Sequence, residues 1–424
     1  MYLLLRGQPW AEVQKSVNEK VKEAVPAMLI LSCIGILIGA WMVSGTIPML
    51  IYWGLQLVAP KFLYLFAFAI CILFSLLTGT SWGSAGTIGV VVIGLAYVYE
   101  ANLAITAAAI VGGAFFGDKL SPLSDTTNIA ALATGVDLID HIRSMLYTTV
   151  PAAILAAILY TVLSINHLGD VGNTRTEELA SASEALQEMF VFSGWLLLPL
   201  LVVIIGATTR RPIVLTLLIS SLLALALAAV FQHIEFTDMV ASLSTGFRVD
   251  MLRNPVEDSP ITPILNRGGL YSMKEAVLIC LLIFAYLGLL EHVDAIQRVM
   301  KPILQRIKRR STAIASTLTM TIFTNLFSSN QFATSFIIGA TFQPIYERLR
   351  ISKRVLSRSI EDAGTMIENL APWTPSGIFM AGALGVSALE YAPWQFLSIF
   401  NLIIAYFYAF TGIACFYASA KKEE

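Results

Sequence analysis

Residues 117–128 read GDKLSPLSDTTN, and they lie between two apolar runs at 104–116 and 129–133. If those runs are membrane-embedded, hydrocarbon must accommodate two aspartates, a lysine, four hydroxyl side chains, an asparagine and a proline. Ionisable groups inside a span are costly, and they mark paths for ions or substrate. Pro122 removes a backbone donor and biases Ser121 away from helical geometry, so a helix is expected to break here. Broken backbone at membrane depth is tolerated where protein or a watery cavity surrounds it, which is how transporters build binding sites.

Composition supports that premise. Of the 424 residues, 57% are hydrophobic and 13% charged, against about 25% charged in soluble domains. Mean hydropathy is +0.75. A crossing takes about 20 residues, which leaves room for roughly ten to twelve crossing or re-entrant segments. The chain therefore reads as an all-α polytopic membrane protein. A net charge of −1 gives no sign of nucleic-acid binding. Cys33, Cys71, Cys280 and Cys415 each stand alone in apolar runs, so they read as small buried hydrophobes and not as disulfide or metal partners. The N-terminus lacks the features of a signal peptide.

Polar and basic residues at 11–23 precede a first apolar segment at 25–41. A short run at 47–58 suits a tilted or interfacial piece. Runs at 62–77 and 87–99 flank a polar, glycine-rich tip at 78–86, which suggests a re-entrant hairpin or interrupted helix. A long span is expected at 145–163. Hydrophilic residues 166–188 belong outside the membrane, 190–207 and 213–231 form a pair of spans, and 233–273 form a second polar connection. Further spans follow at 275–290, 312–327 and 336–346, with a basic amphipathic piece up to 310. A polar-interrupted segment at 360–386 precedes the last span near 396–417. Basic clusters at 15–22, 210–211, 306–310, 348–358 and 421–422 are expected on the cytoplasmic side.

An offset of 250 residues maps like onto like. Thr80, Ser81 and Ser84 fall on Asn330, Gln331 and Thr334; Asp118 falls on Glu368, Pro122 on Pro372 and Ser124 on Thr374. The ungapped register aligns both polar breaks. The chain divides accordingly into a first repeat (1–165), a polar loop (166–189), a two-span pair (190–232), a second polar loop (233–273) and a second repeat (274–420). Inverted topology of the two homologous halves is the working expectation. Nothing precedes the first half as the 190–232 pair precedes the second, so the chain either lacks that pair or begins late.

The segments GTSWGSAGTIGV (79–90), FGDKLSPLSDTTNIAA (116–131) and EDAGTMIENLAPWTPSGIFMAGALGV (361–386) resemble the NhaC-type Na+/H+ antiporters, within the ion transporter superfamily. The similarity extends over nearly the whole chain. It implies a secondary antiporter of a bacterial or archaeal inner membrane, exchanging Na+ for H+. Members of the superfamily couple the same ions to organic acids such as malate and lactate, and members usually carry extra N-terminal spans. The chain departs from the pattern in its later motif. Glu368 stands where a small or apolar residue is expected, followed by Asn369, and Thr374 follows the tryptophan in place of an asparagine.

Asp118 and Asp125 are the candidates for coupling, with Asp125 marginally preferred. Burial makes a carboxylate hold its proton, while a bound cation favours the charged form, so one group can exchange Na+ for H+ by competition. Alternatively, Asp118 pairs with Lys119, or one aspartate caps a half-helix. Na+ is assigned to Asp118, Asp125 and Thr126. Ser121, Ser124, Thr127 and Asn128 offer further oxygens, although such side chains often bond only to their own backbone. Thr80 and Ser81 form the opposing tip. Trp82 is either a gate or an interfacial anchor. In the second half, Asn330, Gln331, Glu368, Asn369 and Thr374 occupy the equivalent places. Lys119 is a counter-ion or gate. Glu361 and Asp362 are either a proton path or solvated helix ends. His141 and His292 read as solvent-facing before pH-sensing, and no histidine has metal-ligand spacing. No cofactor is expected; Na+ and H+ are cargo, the lipid bilayer is the surroundings, and a homodimer is an open expectation. The rival reading is an Na+/H+-coupled exchanger of a small carboxylic acid. A channel and a membrane hydrolase rank behind, and enzyme activity is not expected.

Overall fold

The computed structural model describes residues 9–169, 171, 175–256, 261–291, 304 and 307–417. Among these residues there are helices and no strand. Seven of the helices are long and apolar enough to cross a membrane, or nine if two bent pairs count as single spans. The chain is thus an all-α, multi-pass membrane protein.

The first span is longer than its apolar run. Helix α1 (Trp10–Val43) takes in the polar stretch at 11–23 and continues through Pro26. Lys20, which is buried, pairs with Glu23 at 3.0 Å, so the polar turn closes on itself and the helix need not end there. Helix α2 (Thr46–Leu57) follows after Gly45, whose φ of +84° turns the chain.

Helices α3 (Leu63–Thr78) and α4 (Ser81–Val98) flank the glycine-rich tip. The sequence suggested that all of 78–86 interrupts the helix, yet only Gly79 and Thr80 do. Gly79 takes a left-handed φ of +69°, and the Thr80 side chain accepts from Gly83 N at 3.3 Å, so a new helix starts at once. Thr87 Oγ1 then donates back to Gly83 O at 2.6 Å within a widened turn at Ala85–Gly89.

Helix α5 (Leu103–Leu120) stops at Ser121, and α6 (Asp125–Thr134) begins after Pro122, where the break was expected. A long α7 (Leu138–Leu168) extends the 145–163 span at both ends. Helices α3 and α5 meet closely because Gly117 has no side chain: a Cβ there would lie 2.5 Å from Leu76 N and 2.6 Å from Ser75 Cβ. Small residues at such crossings let backbones approach in membranes.

The middle of the chain is more structured than two loops and a pair. Helix α8 (Thr176–Met189) occupies the first hydrophilic stretch, and the chain turns by 100° before α9 (Leu198–Thr208) and α10 (Ile213–Leu227). The connection at 233–273 is not simply polar loop. Within it, α11 (Phe236–Ser244) packs on α1, and Gly269 N donates to Gly35 O at 2.7 Å. Gly268 and Gly269, with φ of +89° and +82°, permit that approach.

Helices α12 (Lys274–Glu291), α13 (Arg310–Ser328), α14 (Gln331–Arg348), α15 (Lys353–Glu368), α16 (Pro375–Leu384) and α17 (Phe396–Thr411) complete the described chain. The 250-residue offset carries α4 onto α14 and α6 onto α16 without a gap. Backbone conformation follows the same register. Gly79 and Ser329 have φ of +69° and +50°, Glu100 and Arg350 +49° and +54°, Gly135 and Gly385 +64° and +72°. The caps also correspond: Thr80 with Asn330, Asn102 with Ser352, Ser124 with Thr374 and Asp137 with Ser387 all accept from a nearby backbone N–H. His292 lies outside the described residues, as does most of the basic piece that precedes α13.

A candidate ion-binding site

Four helix breaks converge on one cavity of about 480 Å³. The α3–α4 tip brings Thr80, Ser81 and Trp82, and the α13–α14 tip brings Ser329, Asn330 and Gln331. The broken pair α5–α6 brings Asp118, Asp125 and Thr126, and α15–α16 brings Glu368 and Ser376. Glu23 of α1 closes one side, where it accepts from Asn330 Nδ2 at 3.1 Å.

Asp118 is buried, and its Oδ2 accepts from Ser81 N at 3.1 Å and Ser81 Oγ at 2.7 Å. Hydrogen bonds to a carboxylate favour its charged form, while removal from water opposes it. Asp125 is different. It is exposed to the cavity in the first turn of α6, where the positive end of the helix dipole favours an anion. Asp118 is thus the carboxylate withdrawn from water, and Asp125 stands at the exposed side of the cavity.

Trp82 packs against the second half of the chain. Its ring stacks on Phe379 at 4.5 Å, and its Nε1 donates to Ser376 Oγ at 3.2 Å, tying the first tip to the second broken pair. Several other candidates lie outside the lining and hold the breaks in shape. Ser124 Oγ accepts from Thr127 N at 3.4 Å, Thr127 Oγ1 donates to Lys119 O at 3.0 Å, and Ser121 Oγ donates to Leu76 O at 3.1 Å. Asn128 Nδ2 donates to Ser124 O at 2.6 Å. In the second half Thr374 caps Gly377 N at 3.1 Å and also donates to Glu368 O, while Asn369 bonds Ser398 and Gln395.

Lys119 does not pair with Asp118. It pairs with Asp362, whose Oδ1 also accepts from Thr148 Oγ1 at 2.9 Å and Asn401 Nδ2 at 3.1 Å. Glu361 and Asp362 are fully buried, so they are not solvated helix ends; the charge of Lys119 holds Asp362 in the interior. His141 is buried too, against the solvent-facing expectation, because its Nδ1 meets Ser357 Oγ at 2.9 Å. Glu23, Phe115 and Thr365 line the cavity without having been singled out. Thr365 was within reach of the sequence, since it lies one turn before Glu368.

Residues 113–413 match the model of the Na+/H+ antiporter family. The chain belongs to that family. The antiporter is 38% identical to an uncharacterized Na(+)/H(+) antiporter of Haemophilus influenzae, over 98% of this chain and 88% of the relative. It is 33% identical to the malate-2H(+)/Na(+)-lactate antiporter of Bacillus subtilis, over 96% and 85%. The Na(+)/H(+) antiporter NhaC of Alkalihalophilus pseudofirmus is also 33% identical, over 95% and 86%. The family is one of transporters, and the antiporter's four converging breaks fall largely inside the matched region.

Proposed function

We propose that the chain exchanges Na+ for H+ across the cytoplasmic membrane, the two ions competing for Asp118 with Asp125 and Thr126 beside it. One observation carries this reading: Glu23, Asp118, Asp125 and Glu368 all line the cavity, and among the described residues no lysine, arginine or histidine does. A cavity of that sign attracts cations and repels carboxylic acids. Na+ and H+ are the cargo, and no bound cofactor is called for.

Inverted repeats, bounded at 1–165 and 274–420 with the 190–232 pair between, fit this function. Two contacts to α7 support the inversion. Asn102 N bonds Tyr64 OH at 3.0 Å, and Tyr64 N bonds Ser164 Oγ at 3.2 Å, near the end of α7. Arg354, beside the equivalent 350–352 loop, pairs with Asp140 at 2.5 Å, near its start. Residues 140 and 164 of one helix are about 36 Å apart at 1.5 Å per residue, so the equivalent loops lie toward opposite ends.

The carboxylic-acid reading has one observation in its favour. Arg210 and Arg211 line an adjoining cavity of about 430 Å³ that shares Thr80, Trp82 and Asp125. Purified protein in proteoliposomes separates the two. An inward Na+ gradient alone is expected to drive proton efflux, and malate or lactate is expected to leave the rate unchanged. Proton movement that starts only on adding either acid would transfer the assignment to carboxylic-acid exchange.

A further inference from the structure

We propose that protons reach the cavity carboxylates by their own buried route, through Glu361 and the Asp362–Lys119 pair from the His141 end of α7; this rests on the Na+/H+ reading above. The route follows one face of α15. Arg354, Ser357, Glu361 and Thr365 recur every three or four residues, the spacing of a single helix face. That face starts at the exposed Arg354–Asp140 pair and ends at Thr365, which lines the cavity. Opposite it, α7 presents His141, Ser144 and Thr148. Ser144 Oγ donates to Arg354 O at 3.2 Å and Thr148 Oγ1 to Asp362 Oδ1 at 2.9 Å.

Between the two ends the titratable groups are closed off from solvent. His141, Glu361 and Asp362 are each 0% exposed. Each nevertheless keeps one atom without a hydrogen-bond partner: His141 Nε2, Glu361 Oε2 and Asp362 Oδ2. All three are groups that can take a proton and pass it on, which is what a relay requires. Glu361 sits where the relay meets the site: its Oε1 accepts from Thr365 Oγ1 at 2.8 Å, and Thr365 lines the cavity.

The surrounding charges select for protons. Lys119 from α5 and Arg358 from α15 flank Asp362, Arg358 Nε lying 3.9 Å from Oδ2. Lys119 also faces His141, α17 contributes the uncharged Asn401, and Tyr346 and Cys415 face Arg358. Two buried cations repel Na+, while a proton moves by exchange between O–H and N–H bonds and needs no room. Each step breaks one such bond and forms another, so no co-reactant is involved. Na+ would use the open cavity at Asp125.

Glu361→Gln and His141→Gln in proteoliposomes test the route, with Na+/Na+ exchange of labelled Na+ measured beside Na+-driven proton movement. Glu361→Gln is expected to lower proton movement about 100-fold, the low end for a positioned proton-transfer group. His141→Gln is expected to slow it in the same direction. Both should keep Na+/Na+ exchange near the wild-type rate. An equal loss of both exchanges in Glu361→Gln would overturn the proposal, as would unchanged proton movement in both variants. If Glu361→Gln does not fold, His141→Gln decides alone by the same pair of readings. Wild-type protein that moves neither ion would instead sink the Na+/H+ reading itself.

Discussion

Asp118→Asn is expected to abolish Na+-driven proton movement while the protein stays folded. The substitution preserves shape, and the asparagine carbonyl oxygen can still accept from Ser81 N and Oγ, which now bond Asp118 Oδ2 at 3.1 and 2.7 Å. What it removes is the charge. A unit charge about 4 Å from Na+ contributes about 4 kcal/mol at an effective dielectric of about 20, and each 1.4 kcal/mol is about tenfold in affinity. Na+ binding should therefore weaken by about three orders of magnitude, and the residue can no longer carry the exchanged proton. Equilibrium binding of labelled Na+ together with proteoliposome proton movement measures both. Asp125→Asn, at the exposed approach, should raise the Na+ concentration needed and leave exchange in place.

Lys119→Met is expected to produce the largest loss of stability. Asp362 would remain buried with its hydrogen bonds from Thr148 and Asn401, but the nearest remaining cation is Arg358, 3.9 Å from the other oxygen. Removing one partner of a buried ion pair costs about 3–5 kcal/mol, because the other charge is left uncompensated. Lys119→Met combined with Asp362→Asn should recover part of that loss, since the uncompensated carboxylate charge is gone while Thr148 and Asn401 keep an acceptor. Thermal unfolding of all four forms in detergent gives the coupling directly. Equal, additive losses in the two single variants would show that the pair does not hold α5 to α15.

The breaks were legible in the sequence because their causes are local. Pro122 and Pro372 forbid a continuous helix, and Ser124 and Thr374 cap the restart within three residues. The 250-residue correspondence of caps and left-handed positions was legible for the same reason, since both depend on near neighbours. The cavity's membership was only partly legible. Asp118, Ser81, Asn330 and Glu368 stood out as polar residues in apolar surroundings, but Glu23 belonged to a stretch that read only as polar and basic, ahead of the first apolar segment. That stretch continues α1 because Lys20 and Glu23 neutralise each other, a pairing that composition does not reveal. Burial of Glu361 and Asp362 was equally hidden, since the lysine that holds Asp362 comes 243 residues earlier. Hydroxyls posed the opposite difficulty. Ser121, Ser124 and Thr127 stood out by type, but type does not show that Ser121 Oγ bonds Leu76 O, that Ser124 Oγ caps Thr127 N beside Asp118, or that Thr127 Oγ1 bonds Lys119 O.

The most direct test is the apparent KM for Na+ measured against pH in proteoliposomes. If one proton and Na+ compete for Asp118, acidification protonates the site and weakens Na+ binding. KM should then rise about tenfold for each pH unit below the carboxyl's titration, with the maximal rate little changed. A KM that stays constant while the maximal rate falls with pH would contradict competition and place proton and Na+ on separate, independent sites.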